Sequence, residues 1–216
     1  GARVDLGVLE RTARVWASDC NDALERQTIQ RWTEAILPPE LVGTHVGPTT
    51  AHTTDRTHSL SFRAVTAMFG HFGIEWDVRG LNEAEFSELS QAVDVYKTHR
   101  GLIHSGRAVH ADLADPAHSL SGVVAADGSE ALFSFVSLAT SFDEIPGQVG
   151  FPGLDPRGDY DVKVIFPTLT SPYGAIKNVG WIPEGITASG LFLAEVGLPM
   201  PVLHPEHGIL VQLTRR

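Results

Sequence analysis

Short apolar runs alternate with amphipathic stretches through the first hundred residues. Residues 13–17 (A-R-V-W-A) make a run short enough for a buried strand, and Ser18-Asp19 closes it. Asn21 or Asp22 can then cap a helix reaching about Ala35, with Leu24, Thr28, Ile29 and Trp32 spaced for one face. Pro38-Pro39 stop it, since proline brings no amide donor and disfavours helix in the residue before it. Residues 41–47 form a second short run, followed by a polar loop over 48–56. Residues 59–72 predict the next helix, with Phe62, Val65, Ala67, Met68 and Phe69 as its apolar content, and 72–78 alternate like a strand. Asn82 and Glu85 form a capping pair. Behind them Phe86, Leu89, Val93, Tyr96, Arg100 and Ile103 keep helical spacing for about twenty residues. Strand alternating with helix predicts a parallel α/β arrangement.

After His104 the texture changes. Residues 109–111, 121–126, 131–138, 160–165, 190–196 and 208–213 are strand-like. Turn signals separate them: Asp127-Gly128, Asp155-Pro156-Arg157-Gly158, Pro172-Tyr173-Gly174 and Pro183-Glu184-Gly185. Residues 131–136 are the most strongly apolar of these strands. An antiparallel β-sandwich over 104–216 follows. Residues 1–103 hold only about three strand–helix units, too few to close a barrel of eight, and a parallel sheet with an open edge is a liability. The expected fold is therefore α/β plus all-β.

Composition narrows the function classes. Of the 216 residues 43% are hydrophobic and 19% charged, which excludes a disordered tail. A formal charge of −10 with no basic cluster argues against nucleic acid or an anionic membrane as the main partner. No apolar run approaches the ~20 residues of a membrane span. Cys20 is the single cysteine, so no internal disulfide framework exists. The chain starts at Gly1 and no signal-peptide pattern follows, which predicts a cytoplasmic protein whose start was processed, or a piece of something longer.

The sharpest local feature is Trp16-Ala17-Ser18-Asp19-Cys20-Asn21-Asp22-Ala23-Leu24-Glu25-Arg26 with Gln27-Thr28-Ile29-Gln30 behind it. Asp19 directly follows a strand and precedes a helix, which in barrel folds is the face that carries catalytic groups. It stands near the helix's positive end, with Trp16 as apolar bulk beside it. The plainer alternative is that Asp19, Asn21 and Asp22 only cap the helix. His45, His52 and His58 match no zinc spacing and read as structural or solvated; no metal or other cofactor is expected. His45 ends a strand and can border a site, with the 48–56 loop at its mouth. One of Glu75 and Asp77 can reach that face, or pair within the sheet. Phe166, Tyr173 and Trp181 read either as a sugar platform or as sandwich core and rim.

W-A-S-D-C-N-D-A-L-E-R-Q-T-I-Q resembles the acid motif W-x-S-D-N-T-D-A-x-x-R-x-x-I-Q of the family 36 glycoside hydrolases, the bacterial-type α-galactosidases. Residues 37–46 (L-P-P-E-L-V-G-T-H-V) resemble that family's Y-P-P-x-x-M-G-S-H-V, and 69–77 (F-G-H-F-G-I-E-W-D) its G-N-F-G-Y-E-L-D. Gly153-Leu154-Asp155-Pro156 and Ala188-Ser189-Gly190-Leu191 fit its C-terminal sandwich, and Gly1-Ala2-Arg3-Val4-Asp5 looks like the end of its C-S-G-G-G-x-R-x-D segment. The resemblance implies the C-terminal part of a (β/α)8 TIM barrel followed by an antiparallel β-sandwich. It implies a retaining α-galactosidase acting on terminal α-D-galactosyl residues of melibiose and raffinose-type sugars, with Asp19 as general acid/base.

The family's nucleophile lies in a K-W-D-x-N-R type segment that these residues lack. The resemblance thus implies that this chain alone is inactive and needs a missing N-terminal part as partner. Gly1, Trp16, Cys20 and His45 are the expected substrate contacts. Cys20-Asn21 departs from the family's Asn-Thr, which leaves the contact of the replaced asparagine in doubt, and a buried inert thiol is the alternative for Cys20. The family also implies a homotetramer. Two further readings stay open: an α-N-acetylgalactosaminidase of the same family, and a non-catalytic carbohydrate-binding or assembly module.

Overall fold

A computed structural model describes residues 5–167, 175–177 and 179–216. The chain divides into two compact units, Gly1–His104 and Ser105–Arg216.

The first unit runs α1 (Leu6–Leu9), β1 (Val15–Trp16), α2 (Ala23–Glu34), a 3-10 turn at Pro39–Leu41, β2 (Val42–Val46), α3 (Leu60–Ala67), β3 (His71–Ile74), a second 3-10 turn at Val78–Gly80 and α4 (Glu83–Ile103). Its sheet has the order β1-β2-β3 and is parallel throughout, with Val15 opposite Val42, Trp16 opposite Gly43 and Thr44 opposite Phe72. Strands that run parallel in chain order deliver their C-terminal ends to one edge. The segments after Trp16, Val46 and Ile74 therefore leave the sheet on the same side, where open α/β sheets bind ligands. β1 is shorter than the expected 13–17 because its ladder with β2 covers only two residues.

The helices bury faces the apolar spacing did not predict. In α2 the buried residues are Ala23, Arg26 and Gln30, while Trp32 is 67% exposed. The inward polar groups have work to do. Gln30 Nε2 donates to the Thr66 carbonyl at 2.6 Å and Gln27 Nε2 to Thr66 Oγ1 at 2.7 Å, serving the C-terminal end of α3, where helix carbonyls lack partners. α3 is capped by Ser59 and stops at Ala67, well before the expected Phe72. Gly70 at φ +131° turns the chain into β3, and a Cβ there would sit 2.8 Å from the Val42 carbonyl oxygen. α4 begins with the expected capping box, Asn82 and Glu85 each accepting the other's amide at 3.0 Å. Its buried side is Leu89, Ala92, His99, Leu102 and Ile103, whereas Phe86 is exposed. No helix among the described residues is long and apolar enough to cross a membrane.

The second unit contains β4 (Arg107–Ala111), β5 (His118–Val124), β6 (Glu130–Ser137), β7 (Gln148–Val149), β8 (Asp159–Phe166), β9 (Ala175–Lys177), β10 (Ile186–Ser189), α5 (Gly190–Glu195), β11 (Leu198–Pro199), β12 (Val202–Leu203) and β13 (His207–Arg215). A six-stranded antiparallel sheet has the order β10-β8-β13-β6-β5-β4, and two-stranded pairs β11-β7 and β12-β9 accompany it. β6 lies between β5 and β13, and residues 131–137 are all buried, which explains its unbroken apolar run. Phe166 and Trp181 belong to the interior, Trp181 Nε1 donating to the Pro199 carbonyl at 2.8 Å, so neither offers a sugar platform. Tyr173 lies outside the described residues.

One expected strand is a helix. Residues 190–196 were strand-like in composition, yet Gly190–Glu195 forms α5, with Ser189 Oγ accepting the Phe192 amide as N-cap and Gly197 at φ +78° ending it. A run as short as Leu191-Phe192-Leu193-Ala194 satisfies either period, and the cap decides. The Gly190 amide donates to the Gly158 carbonyl at 2.7 Å, and a Cβ at Gly190 would lie 2.1 Å from the Asp155 carbonyl oxygen. The Gly153–Pro156 and Ala188–Leu191 motifs therefore meet backbone to backbone. Gly190→Ala is expected to cost about 1–3 kcal/mol of stability, read as a lower urea midpoint; an unchanged midpoint contradicts this packing.

Candidate active site

Asp19 is exposed on the segment between β1 and α2, at the edge where the parallel strands end. It is not the helix cap. That role belongs to Asp22, wholly buried, whose Oδ1 accepts the Leu24 and Glu25 amides at 2.8 and 3.1 Å. Asp22 also accepts from the Thr54 hydroxyl and from Arg56 Nη1, the latter at 3.0 Å, which ties the 48–56 loop to the start of α2. With both its oxygens engaged in structural bonds, Asp22 is unsuited to proton transfer with a ligand.

One turn beyond Asp22, Arg26 is 2% exposed and holds the Asp19 segment from below. Its Nη2 donates to the Ser18 carbonyl at 2.6 Å, and its guanidinium stacks 4.5 Å from the centre of the Trp16 ring. Burial lowers the Arg26 pKa, opposed by the electrostatic pull of the Cys20, Glu75 and Asp19 side chains, so these groups lie within its field. The Cys20 amide donates to Ser18 Oγ at 3.1 Å, fixing the turn around Asp19. Backbone on both sides of the carboxylate is thus anchored while the carboxylate faces solvent.

From Trp16 the contacts continue across the sheet edge. The Trp16 and His45 rings lie 4.0 Å apart at 39°, and His45 Nδ1 is 3.0 Å from Glu75 Oε2. Gly43 makes room for this stack, since a Cβ there would approach Trp16 Cε3 to 3.2 Å. A second buried arginine, Arg63 of α3, joins the other loops. It donates to the Gly47 carbonyl at 2.5 Å and to Thr49 Oγ1 at 3.3 Å, and stacks 5.2 Å from Trp76. Burial lowers its pKa to about 10, against the pull of Glu88 and Glu85.

Of the sequence-derived residues, Asp19, Trp16, Cys20 and His45 all come to this edge. Gly1 lies outside the described residues. Cys20 is half-buried rather than enclosed, with Sγ 3.4 Å from Thr53 Oγ1. The three histidines have separate settings. His45 pairs with Glu75, the His52 amide donates to Asn21 Oδ1, and buried His58 packs against Phe62 at a tilt of 51°, with Nε2 4.0 Å from Asp22. Glu75 rather than Asp77 is the charge that reaches the edge; Asp77 pairs with Arg79. Sequence reasoning missed Arg26 and Arg63. For Arg26 a signal existed, since Asp22, Arg26 and Gln30 repeat every fourth residue and share a buried helix face.

Residues 1–106 match the family model described as Melibiase, and residues 118–212 match the glycosyl hydrolase family 36 C-terminal domain. The chain is 40% identical to an α-galactosidase of Escherichia coli, an alignment over all of this chain and 31% of that protein. It is 32% identical to the bifunctional α-galactosidase/sucrose kinase AgaSK of Mediterraneibacter gnavus, over 96% of this chain and 20% of that one. A Geobacillus stearothermophilus family 36 α-galactosidase AgaA variant, solved in complex with raffinose, superposes with a TM-score of 0.81 at 27% identity, covering 97% of this chain and 27% of that one. The chain thus spans a third or less of the length of these relatives. Its first unit is accordingly the C-terminal part of a (β/α)8 barrel and its second the sandwich that follows. With its two halves matched in order by the two models, the chain belongs to the melibiases of glycosyl hydrolase family 36.

Proposed function

We propose that this chain forms the C-terminal portion of a retaining α-galactosidase and supplies its general acid/base, Asp19. The observation that carries the reading is the exposed carboxylate of Asp19 on an anchored turn at the C-terminal edge of the parallel sheet. Barrel enzymes place their chemistry at that edge. The α-galactosidase activity named for the relatives, and raffinose in the Geobacillus complex, support terminal α-galactosyl groups as the substrate class.

Hydrolysis with retention needs two carboxyl groups about 5–5.5 Å apart. In the first step a nucleophilic carboxylate attacks the anomeric carbon as Asp19 hands its proton to the departing glycosidic oxygen. In the second, Asp19 takes a proton from the water that attacks the galactosyl ester, which frees the nucleophile and reprotonates the acid. The nucleophile on this reading is an aspartate of another part of the same enzyme, and these 216 residues alone do not complete the cycle. Trp16, Cys20 and His45 flank the sugar. The purified chain is expected to release no phenol from an aryl α-galactoside; turnover by the chain alone contradicts the assignment.

Arg26 positions the turn. Arg26→Met removes the bond to the Ser18 carbonyl and lets the Asp19 segment move. In the enzyme containing this chain, kcat should fall by up to about 10²-fold with a smaller change in KM, as a misplacement near 1 Å produces. An unchanged kcat in a folded variant rules out that role.

A further inference from the structure

At the end of the parallel sheet opposite Asp19, two histidines meet. His71 opens β3 and His104 closes α4 as its C-cap, and their rings lie 4.4 Å apart at 33°. His71 Nε2 donates to the Glu40 carbonyl at 2.7 Å, on the 3-10 turn that leads into β2. That bond assigns the proton of neutral His71 to Nε2. His104 Nε2 is 2.9 Å from the Tyr96 hydroxyl, and the two rings stand edge to face at 89°. The Tyr96 ring in turn stacks on Phe72, the second residue of β3, at 5.2 Å and 24°. An imidazole pair, a hydrogen bond and an aromatic stack thus hold the C-terminal end of α4 on the start of β3.

The cluster suits neutral rings only. His104 Nδ1 is buried and has no hydrogen-bond partner among the described residues. With the ring proton on Nε2, the unmet atom is merely a lone pair. Protonation turns it into a charged N–H without an acceptor and sets a cation against the His71 ring. The charges that face His104 are His71 on β3, Glu40 on the turn before β2, Arg14 just ahead of β1 and Arg100 one turn back on α4. Of these only Glu40 favours the charged ring. Burial, then His71, with the two arginines behind them, outweigh Glu40 and hold the His104 pKa below the ordinary 6.5.

We propose that His71, His104 and Tyr96 form an acid-sensitive clasp, which holds the end of α4 on β3 at neutral pH and releases it in mild acid. A folded-state pKa below that of the unfolded chain means that the folded form binds the proton less tightly. The clasp's contribution is therefore whole above about pH 7 and declines as the pH falls through 6.5 toward the folded-state value. Release is local, because the capped start of α4 and the antiparallel sheet of the second unit take no part in the cluster. It also leaves the proposed chemistry aside, since His71, Glu40 and Arg14 all stand where strands begin and Asp19 stands where one ends.

The test is amide hydrogen exchange in the enzyme containing this chain, read peptide by peptide at about pH 7.5 and about pH 5.5 and corrected for the intrinsic rate. Peptides over residues 96–104 should lose protection severalfold at the lower pH, while those from β6 keep theirs. His104→Phe keeps a ring against His71 and removes the titrating group, so its protection should be nearly the same at both pH values. His71→Gln removes the neighbouring imidazole and should shrink the acid loss, which decides the matter even where His104→Phe does not fold. Tyr96→Phe keeps the stack on Phe72 without the hydroxyl and should be less protected already at neutral pH. Unchanged protection of residues 96–104 in wild type, an equal loss in β6, or an acid loss undiminished in His104→Phe or His71→Gln overturns the proposal.

Discussion

Asp19→Asn is expected to lower turnover of raffinose by the enzyme containing this chain about 10²–10⁴-fold, the usual worth of a positioned general acid/base. The substitution keeps the size of the side chain, removes its charge and proton exchange, and turns one oxygen acceptor into an amide donor. The size of the loss should depend on the leaving group. An aryl α-galactoside departs with little protonation, so its galactosylation step should survive far better than that of raffinose, and galactosyl-enzyme should accumulate because water is no longer activated. Raffinose needs both roles and should lose the most. Equal losses on the two substrates, or full activity on both, remove Asp19 from proton transfer. Stability should change little, since Asp19 is exposed and the cap of α2 is Asp22.

Asp22→Ala is expected to cost about 3 kcal/mol of stability, combining a lost helix cap of about 1 kcal/mol with the stranding of Arg56. The carboxylate is wholly buried and closes α2, the Thr54 hydroxyl and Arg56 in one cluster, so its removal leaves several donors unmet. Asp22→Asn keeps an acceptor for the Leu24 and Glu25 amides and should cost distinctly less.

The two variants also differ with pH. Burial pushes the Asp22 carboxyl up, but the Thr54 hydroxyl, the Glu25 amide, Arg56 and the Leu24 amide outweigh it. Its pKa therefore lies below the ordinary 3.8. A depressed pKa means the folded form holds the proton less tightly than the unfolded form. The contribution is whole above about pH 4 and is lost as the pH falls through the folded-state value. Wild type should therefore lose more stability than Asp22→Asn between neutral pH and pH ~3, measured by urea midpoints. Parallel losses in the two contradict the cluster.

What was legible in the sequence followed from how strongly one force dominated each segment. Residues 131–136 announce a strand because β6 is buried on both faces. Asn82 and Glu85 announce the start of α4 because a capping box is written in two side chains. The acid motif placed Asp19 at a strand end, and the structure puts it at the edge where that position leads. Elsewhere forces competed. α2 hides Arg26 and Gln30 and leaves Trp32 outside, since the neighbouring turn and the end of α3 need donors more than they need another apolar face. Residues 190–196 fit a strand or a helix by composition, and the Ser189 cap with Gly197 beyond decides for helix. The Arg26–Trp16–His45–Glu75 chain of contacts joins two strands, a helix and the turn after a third strand, so no local pattern could display it.

The role of Asp19 is read from the anomeric configuration of the product formed when azide rescues Asp19→Asn on an aryl α-galactoside. Azide needs no general base. If Asp19 is the acid/base, azide intercepts the galactosyl-enzyme and gives the α-galactosyl azide, with configuration retained. If Asp19 were instead the nucleophile, azide would enter its place and give the inverted β-azide. The expected result is the α product with turnover rising in proportion to azide; the β product, or no rescue at all, contradicts the acid/base role of Asp19.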